Sequence, residues 1–385
     1  MSAVNTLVGM MTRYSSHESQ FIEARELAKS IFTHQVPEGI QIISTETSYY
    51  VDHGINHVER VIVKIEALNG FLLAPLNRKE AFIILLAAYY HDMGMFIGRR
   101  QGEDPEQARN EHHTRSAEAI QMLNYRNFLH IPQEELEVIK KVIEAHRLTD
   151  LKELPESQWI EGFEIRTQLL GALLRIADSC DCDRSRASRA IFDLFYENIP
   201  DNSKEYWKML FPVTDVRFEG RRTSIIVSIN FAGNLKERIE KYRIGNLLKR
   251  KIDEELSSVE AVFRHNRVPL VRVEIEDFDS GRLIDFSSLP MYENIATVTL
   301  CSKFGRVDDL IDIVTHFISS TSDGIPLVIE FRPPEGPLFV DTEVHICTGK
   351  IEEMKSALQE RLGPDLWGLR GEVIEKITLR RGIVS

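Results

Sequence analysis

Apolar residues recur every three to four positions through the first half of the chain, from about Glu18 to Asn198. This period places them on one face of an α-helix and predicts an all-α core for residues 1–200. Within it, Asp52 stands where it could cap a helix, and the polar segment from Gly98 to Glu111 is predicted to be a loop. Two of the apolar stripes are Phe21, Ala24, Leu27, Ala28 and Ile31, and Val58, Val61, Ile62, Ile65 and Leu68.

The pattern changes after residue 200. Thr223 to Asn230 and Val271 to Glu276 are rich in β-branched residues and predict strands. Between them, Asn234 to Arg264 carries a long apolar stripe of helical period. We therefore expect residues 201–285 to form an α+β segment with one long helix.

A third pattern covers residues 286–385, where the predicted order is strand, helix, strand, strand, helix, strand. This is the βαββαβ order of a ferredoxin-like module, so the fold class expected for the whole chain is multidomain, α plus α+β. Modules of this kind commonly serve self-association, regulation or a protein partner, an expectation that rests on fold analogy alone. The predicted elements are Ala296–Cys301, Val307–Ser319, Pro326–Phe331, Val340–Cys347, Lys350–Leu362 and Val373–Leu379.

Composition narrows the class of protein. With 385 residues the chain is too long for one typical core. It has no apolar run of membrane-spanning length and no signal-peptide pattern at its start, so no membrane association is expected. Its four cysteines suggest no disulfide framework, which favours a cytoplasmic location. The formal net charge of −12 argues against an extensive nucleic-acid-binding surface.

Histidine and aspartate residues carry the candidate chemistry. His57 lies in a helical pattern, the His91-Asp92 pair follows an almost wholly apolar helix, and Asp178 ends another apolar segment. Burying a carboxylate in such a setting is costly unless the carboxylate is paired or bound to a cation. Imidazole and carboxylate together suit divalent metals, and mixed sites of this kind perform hydrolysis.

The pattern His57…His91-Asp92…Asp178 resembles the HD superfamily of metal-dependent phosphohydrolases, over roughly residues 40 to 195. The resemblance implies a divalent metal (Mn, Fe or Mg) and a metal-bound water as nucleophile. Members with two additional histidines typically hold two ions, and His146 and His112 (or its neighbour His113) stand at those positions. A second-shell or surface role for these additional histidines stays open. The implied ligand set is His57, His91, Asp92, His112, His146 and Asp178.

His53 precedes His57 by four residues. In cyclic-nucleotide phosphodiesterases of this superfamily, a histidine at that spacing protonates the leaving oxygen, so the resemblance implies a catalytic role for His53 beside Asp92. The ordinary pKa of histidine suits this task. A capping or second-shell role for His53 is the alternative.

A phosphate substrate needs local positive charge in this acidic chain. Arg184 and Arg186 follow Asp178 closely, and Arg115 and Arg147 adjoin the additional histidines. Arginine matches phosphate oxygens with two parallel hydrogen bonds. We expect these four residues to bind substrate, although any one of them could equally form a structural ion pair.

Two functions of different classes follow. The first is hydrolysis of a phosphate ester of a nucleotide, either a phosphodiester or a nucleoside phosphate. The second is nucleotide sensing, with little turnover and with signalling through the C-terminal module. No Gly-Tyr-Pro follows His146, so the HD-GYP subgroup is not matched. The complete ligand set favours the enzyme.

Overall fold

A computed structural model describes the chain over eleven ranges. They are residues 6–14, 18–33, 51–96, 109–147, 149–199, 201–232, 235–284, 295–303, 328–332, 339–347 and 380–381. The chain divides into two compact units, one of Met1–Asn230 with Leu247–Leu283 and the other of Phe231–Asn246 with Ile284–Ser385. Among the described residues, no helix combines the length and the apolar character needed to cross a membrane.

Helices dominate the first unit, as the helical period of the sequence predicts. In chain order the described α-helices are α1 (Leu7–Tyr14), α2 (Glu18–Phe32), α3 (Ile55–Asn69), α4 (Arg78–Tyr90), α5 (His112–Tyr125), α6 (Gln133–Glu144), α7 (Thr167–Ser179), α8 (Arg189–Leu194), α9 (Asp201–Leu210) and α10 (Leu235–His265). Helix α10 runs across the division between the two units.

Helix α4 is the centre of the helical core. Every residue from Lys79 to Tyr90 is buried, which explains why this helix is apolar all round rather than on one stripe. Asn77 and Glu80 form a capping box that satisfies the first backbone N–H groups of α4. Glu80 is itself buried and accepts hydrogen bonds from the side chain of Arg166. The helix that leads into His91 is therefore fixed at its start as well as along its length.

Two details of the helical region differ from the expectation. Helix α3 begins after Gly54 rather than after Asp52, whose carboxylate accepts from the backbone N–H of Gly54 at 2.9 Å. A short antiparallel hairpin, β1 (Gln158–Ile160) and β2 (Phe163–Ile165), interrupts the helices. Its three-residue strands are too short to give an alternating pattern in the sequence. The loop predicted to begin at Gly98 lies outside the described residues up to residue 108.

A mixed sheet packs on this core, with the order β3 (Val213–Glu219), β4 (Ser224–Ile229), β5 (Arg272–Asp277) and β6 (Leu283–Ile284). Strands β3 and β4 are antiparallel, and β4 and β5 are parallel. Strands β4 and β5 and the long helix α10 lie where the sequence predicts them. Strand β3 was not predicted. The ammonium group of Lys64 on α3 donates to the carbonyl of Val216 on β3 at 3.0 Å, which ties the sheet to the helices.

Four more strands form an antiparallel sheet in the second unit. They are β7 (Ile295–Lys303), β8 (Val328–Arg332), β9 (Phe339–Cys347) and β10 (Arg380–Arg381), arranged β10-β7-β9-β8. The first three coincide with predicted strands. The helices predicted at residues 307–319 and 350–362, and the strand predicted at 373–379, lie outside the described residues.

Candidate metal centre

Five elements of the helical core bring the predicted ligands together. His57 lies on the first turn of α3, and the His91-Asp92 pair follows the last residue of α4. His112 begins α5, His146 follows the end of α6, and Asp178 lies in the last turn of α7. These residues lie up to 121 positions apart in the sequence. Their proximity is therefore a product of the helix packing.

The inner group consists of His57, His91 and Asp92, which are all buried and could together hold a metal ion. The Nε2 atoms of His57 and His91 lie 3.2 Å apart, and each is 3.3 Å from Oδ2 of Asp92. Asp178 adds a fourth donor, because its Oδ1 lies 3.2 Å from Nε2 of His57 and 3.7 Å from Nε2 of His91. Four donor atoms thus converge.

The outer group consists of Asp92, His112 and His146, which could hold a second ion. The Nε2 atoms of the two histidines lie 3.0 Å apart, and Oδ1 of Asp92 is 3.3 Å from Nε2 of His112 and 4.0 Å from that of His146. His112, and not its neighbour His113, belongs to this group. Asp92 therefore turns one carboxylate oxygen to each group.

The ring orientations have a common feature. Each of the four histidines directs Nε2 into its group and engages Nδ1 with an acceptor behind it: Asp181 for His57, and the carbonyls of Ala88, Arg109 and Ile143 for His91, His112 and His146. A hydrogen on Nδ1 leaves the Nε2 lone pair directed at the group, which is how metal-binding histidines are held. Two lone pairs about 3 Å apart need a cation between them, so the donor set fits a divalent metal in both groups.

Charges in the inner group point the same way. Burial by itself would lower the pKa values of His57 and His91, but the neighbouring carboxylates raise them. Asp178, Asp181 and Asp92 raise the pKa of His57 to about 9. Asp92 and Asp178 raise the pKa of His91 to about 10. Burial would raise the pKa of Asp92, yet the surrounding imidazoles hold it well below its usual range. Without a metal, the carboxylates thus draw protons into the inner group.

The outer group differs, because burial, with the charges of His112 and His91 next in size, holds the pKa of His146 well below its ordinary value. Its ring therefore stands neutral at pH 7, already in the state that a metal requires.

Gly94 explains how the outer histidine is brought close. A side chain at this position would overlap the carbonyl oxygen of His112 and would lie 2.8 Å from the backbone nitrogen of Ser116. The backbone N–H of Gly94 instead donates to the Ser116 hydroxyl at 2.8 Å. Gly94 and Ser116 are thus in direct contact, which lets α5 approach the His91-Asp92 turn.

Asp181 is a residue that the sequence reading did not assign to the site. Its carboxylate is fully buried and accepts from Nδ1 of His57 at 2.7 Å and from Nε of Arg60 at 2.9 Å. These contacts hold the pKa of Asp181 at about 2, against the raising effect of burial. In the sequence, Asp181 could have been recognised as a buried acid because it stands between two cysteines, a residue type that is usually buried. Cys180 and Cys182 are both free and buried.

The candidate catalytic His53 lies beside the groups and lines the cavity above them, without belonging to either group. Its Nδ1 donates to the carbonyl of Val51, and its ring centroid is 6.0 Å from that of His57. Burial holds the pKa of His53 well below its ordinary value, so the ring is neutral at pH 7 in the absence of substrate.

Two of the four candidate arginines, Arg186 and Arg147, line the cavity. Arg186 is buried in the cavity wall, where it donates to the carbonyls of Asp52 and Asp181, and its Nη2 lies 3.5 Å from Nε2 of His57. Arg147 lines the cavity and is exposed. Arg115 is paired with Glu111 at 2.8 Å, and neither it nor the exposed Arg184 is among the described residues that line the cavity.

The cavity also has a wall that the sequence reading did not predict. It comes from elements beyond residue 200, where Tyr206 lies on α9 and Lys251 and Glu255 lie on α10. Ser179 and Arg109 are also among the described residues that line the cavity. No motif marked these residues, because their contribution depends on how the later helices pack on the core.

Comparison with known proteins places the chain in one family. Searches of curated proteins and of solved structures gave no significant match. The HD-CE family matches residues 47–258, more than half of the 385 residues. This range includes both groups of candidate ligands and the wall formed by Tyr206, Lys251 and Glu255. The chain therefore belongs to the HD-CE family.

Proposed function

We propose that this protein is a metal-dependent phosphohydrolase that cleaves a phosphate ester of a nucleotide. The observation that carries the proposal is the position of Asp92, whose two oxygens face two separate pairs of imidazoles at the base of one cavity. A carboxylate shared in this way suits two ions a few ångströms apart, for which Mn, Fe and Mg are the candidates.

The six residues that would hold the ions are the four histidines of the two groups with Asp92 and Asp178. Divalent ions bound there would polarise the phosphoryl group and activate water for attack. The protein's own part is to orient the imidazoles through their Nδ1 partners and to place Arg186 beside the reacting phosphate. Its guanidinium is in the cavity wall and supplies positive charge where negative charge would develop.

His53 is proposed to protonate the leaving oxygen. Its ring is neutral at pH 7 in the empty cavity, but a bound phosphate would raise the pKa of His53, since a nearby negative charge favours imidazolium. Proton donation would then depend on substrate binding. This dependence suits cleavage of the ester bond of a phosphodiester or a nucleoside phosphate, because an alkoxide is a poor leaving group until it is protonated.

The C-terminal half is proposed to serve a different role. Its strand order β10-β7-β9-β8 supports the ferredoxin-like module predicted for residues 286–385, following a segment of residues 201–285 and a core of residues 1–200. We propose that this module mediates self-association or binds a protein partner, by analogy of fold. The predicted cytoplasmic location remains part of the same proposal.

The test is the metal content of the purified protein, measured by mass spectrometry, with phosphate release and product separation on a nucleotide panel with added Mn²⁺. The panel contains cyclic dinucleotides, cyclic mononucleotides, dNTPs, NTPs and oligonucleotides. About two metals per chain with turnover of one class is the expected result. Metal without turnover of any member would overturn the enzyme in favour of nucleotide sensing. A protein that binds no metal would overturn the metal-dependent enzyme.

A further inference from the structure

The cavity wall formed by Tyr206, Lys251 and Glu255 stands outside the histidine–aspartate pattern. The ammonium group of Lys251 lies over the ring of Tyr206, 4.1 Å from its centroid, and both residues line the cavity. Tyr206 thereby keeps a flexible lysine side chain at the cavity. The acidic residue on the same wall is Glu255, whose carboxyl group interacts electrostatically with both Lys251 and Arg147.

A hydrogen bond links helix α10 to helix α7, which carries Asp178. Lys251, Glu255 and Ser258 are spaced by four and three residues, so they share one face of the helix. The hydroxyl of Ser258 accepts from Nη1 of Arg175 at 3.0 Å, and Arg175 precedes Asp178 by three residues on α7.

The same guanidinium also holds the segment that carries His146. Its Nε donates to the carbonyl of Ala145 at 2.9 Å, and its Nη2 lies 2.7, 2.6 and 2.5 Å from the carbonyl oxygens of Ala145, Arg147 and Thr149, which share its two hydrogens. One buried arginine therefore fixes the position of Lys251 relative to an outer-group ligand.

The cations of the cavity lie at two levels. Arg186 is buried near the inner group, with its Nε and Nη1 already bonded to backbone carbonyls. Lys251 and Arg147 are exposed at the cavity lining, where Glu255 is the nearby acid on the same wall. Apart from the residues of the two metal groups and Arg186, the described residues of the lining thus include three cations (Lys251, Arg147 and Arg109) and one acid (Glu255).

We propose that Lys251, with Arg147, binds a second phosphate group adjacent to the scissile one. The substrate class would then be a nucleotide with at least two phosphates, either a nucleoside polyphosphate or a dinucleotide. This inference rests on the proposed function, since it takes the metal centre as the place of the first phosphate.

Calorimetric titration of the Mn²⁺-loaded protein with inorganic phosphate and with pyrophosphate, at matched free Mn²⁺, tests the proposal without turnover. We expect the Lys251→Ala variant to lose about tenfold in affinity for pyrophosphate, the worth of one charge-assisted hydrogen bond, and to bind phosphate as the wild type does. Lys251→Arg should retain the pyrophosphate affinity. The matched control is Lys249→Ala, which removes a lysine of the same helix that pairs with Asp253.

An equal loss for both anions, or no loss for either, would overturn the second phosphate site. If Lys251→Ala loses affinity for pyrophosphate but not for phosphate, and the wild-type protein hydrolyses no nucleotide, the second phosphate site stands and the proposed enzyme is overturned. Hydrolysis of a nucleoside monophosphate with the same KM in wild type and Lys251→Ala, together with a raised KM for the di- or triphosphate only in the variant, would support both proposals.

Discussion

The inner and outer groups share Asp92 but are built differently. In the inner group, Asp178 adds a second carboxylate, and the ring of His57 is oriented by the buried carboxylate of Asp181. In the outer group, both rings are oriented by backbone carbonyls, and both histidines line the cavity. His57 and His91, by contrast, lie beneath the lining and are fully buried.

The difference suggests a division of labour. Carboxylates add charge and basicity around a cation, so the inner group should bind the first ion more tightly. The outer group faces the cavity with fewer negative charges and should bind a second ion more weakly, where substrate can share it. Four experiments would break or sharpen this comparison.

Replacing the shared residue should remove both groups at once. In Asp92→Asn the amide keeps the shape of the side chain but brings no negative charge to either group. We expect metal content to fall well below one per chain and turnover to fall on the order of a thousandfold. Asp193→Asn, which alters an exposed aspartate paired with Arg189, is the control. Wild-type metal content and turnover in Asp92→Asn would refute the shared role.

Removing an outer ligand should separate the groups. His146→Ala leaves all four donors of the inner group in place, so metal content should fall from about two ions per chain to about one. The measurement is mass-spectrometric metal content after gel filtration. His130→Ala, at an exposed histidine with a side chain 62% accessible, should change nothing. Loss of both ions from His146→Ala would show that the groups are not separable.

Asp181→Asn should weaken the inner group alone. The amide no longer provides the charge that orients and polarises His57, and such outer partners are worth about 10- to 100-fold in metal affinity. Competition with a chromophoric chelator measures the affinity for the first and second ion. The control is Asp183→Asn, two residues away, whose carboxylate accepts from the backbone of Ser185. An unchanged first-ion affinity would remove Asp181 from the metal centre.

The smallest expected effect is a difference in the number of protons released when the first and the second metal ion bind. At pH 7 the raised pKa values of His57 and His91 favour protonation of the inner group, so binding the first ion should release protons, and its affinity should rise from pH 7 toward pH 10. His146 is already neutral and should release none. Calorimetry in two buffers of different ionisation enthalpy measures the number. Release confined to the second ion would reverse the assignment.

The same titration affects the metal-free protein. The pKa values of His57 and His91 lie above those of the unfolded chain, so their contribution to folding is present below pH 6.5 and is lost as the pH rises through 9 and 10. The midpoint of thermal unfolding in chelator should therefore fall over that range, and added Mn²⁺ should reduce the fall.

The sequence was informative where pattern and chemistry coincide. The apolar period predicted the helices, and carboxylates in apolar surroundings predicted the neighbourhood of Asp92 and Asp178. Asp92 and Asp178, which these patterns singled out, lie near the same histidine, His57, in the structure. The resemblance could not choose between His112 and His113, because a difference of 100° around a helix matters only against a packed neighbour. Gly94 supplies that neighbour, since its lack of a side chain lets α5 approach the His91-Asp92 turn.

By itself, the sequence determined the helical core, the long helix of the α+β segment and the residue types available for a metal centre, because hydrophobic period and costly buried charge are local properties. Only the tertiary structure decided that Asp181 orients His57, that Arg175 bonds to Ser258, and that Lys251 and Tyr206 reach the cavity. Each of these contacts joins residues far apart in the chain, and side-chain geometry across packed helices leaves no periodic trace in a sequence.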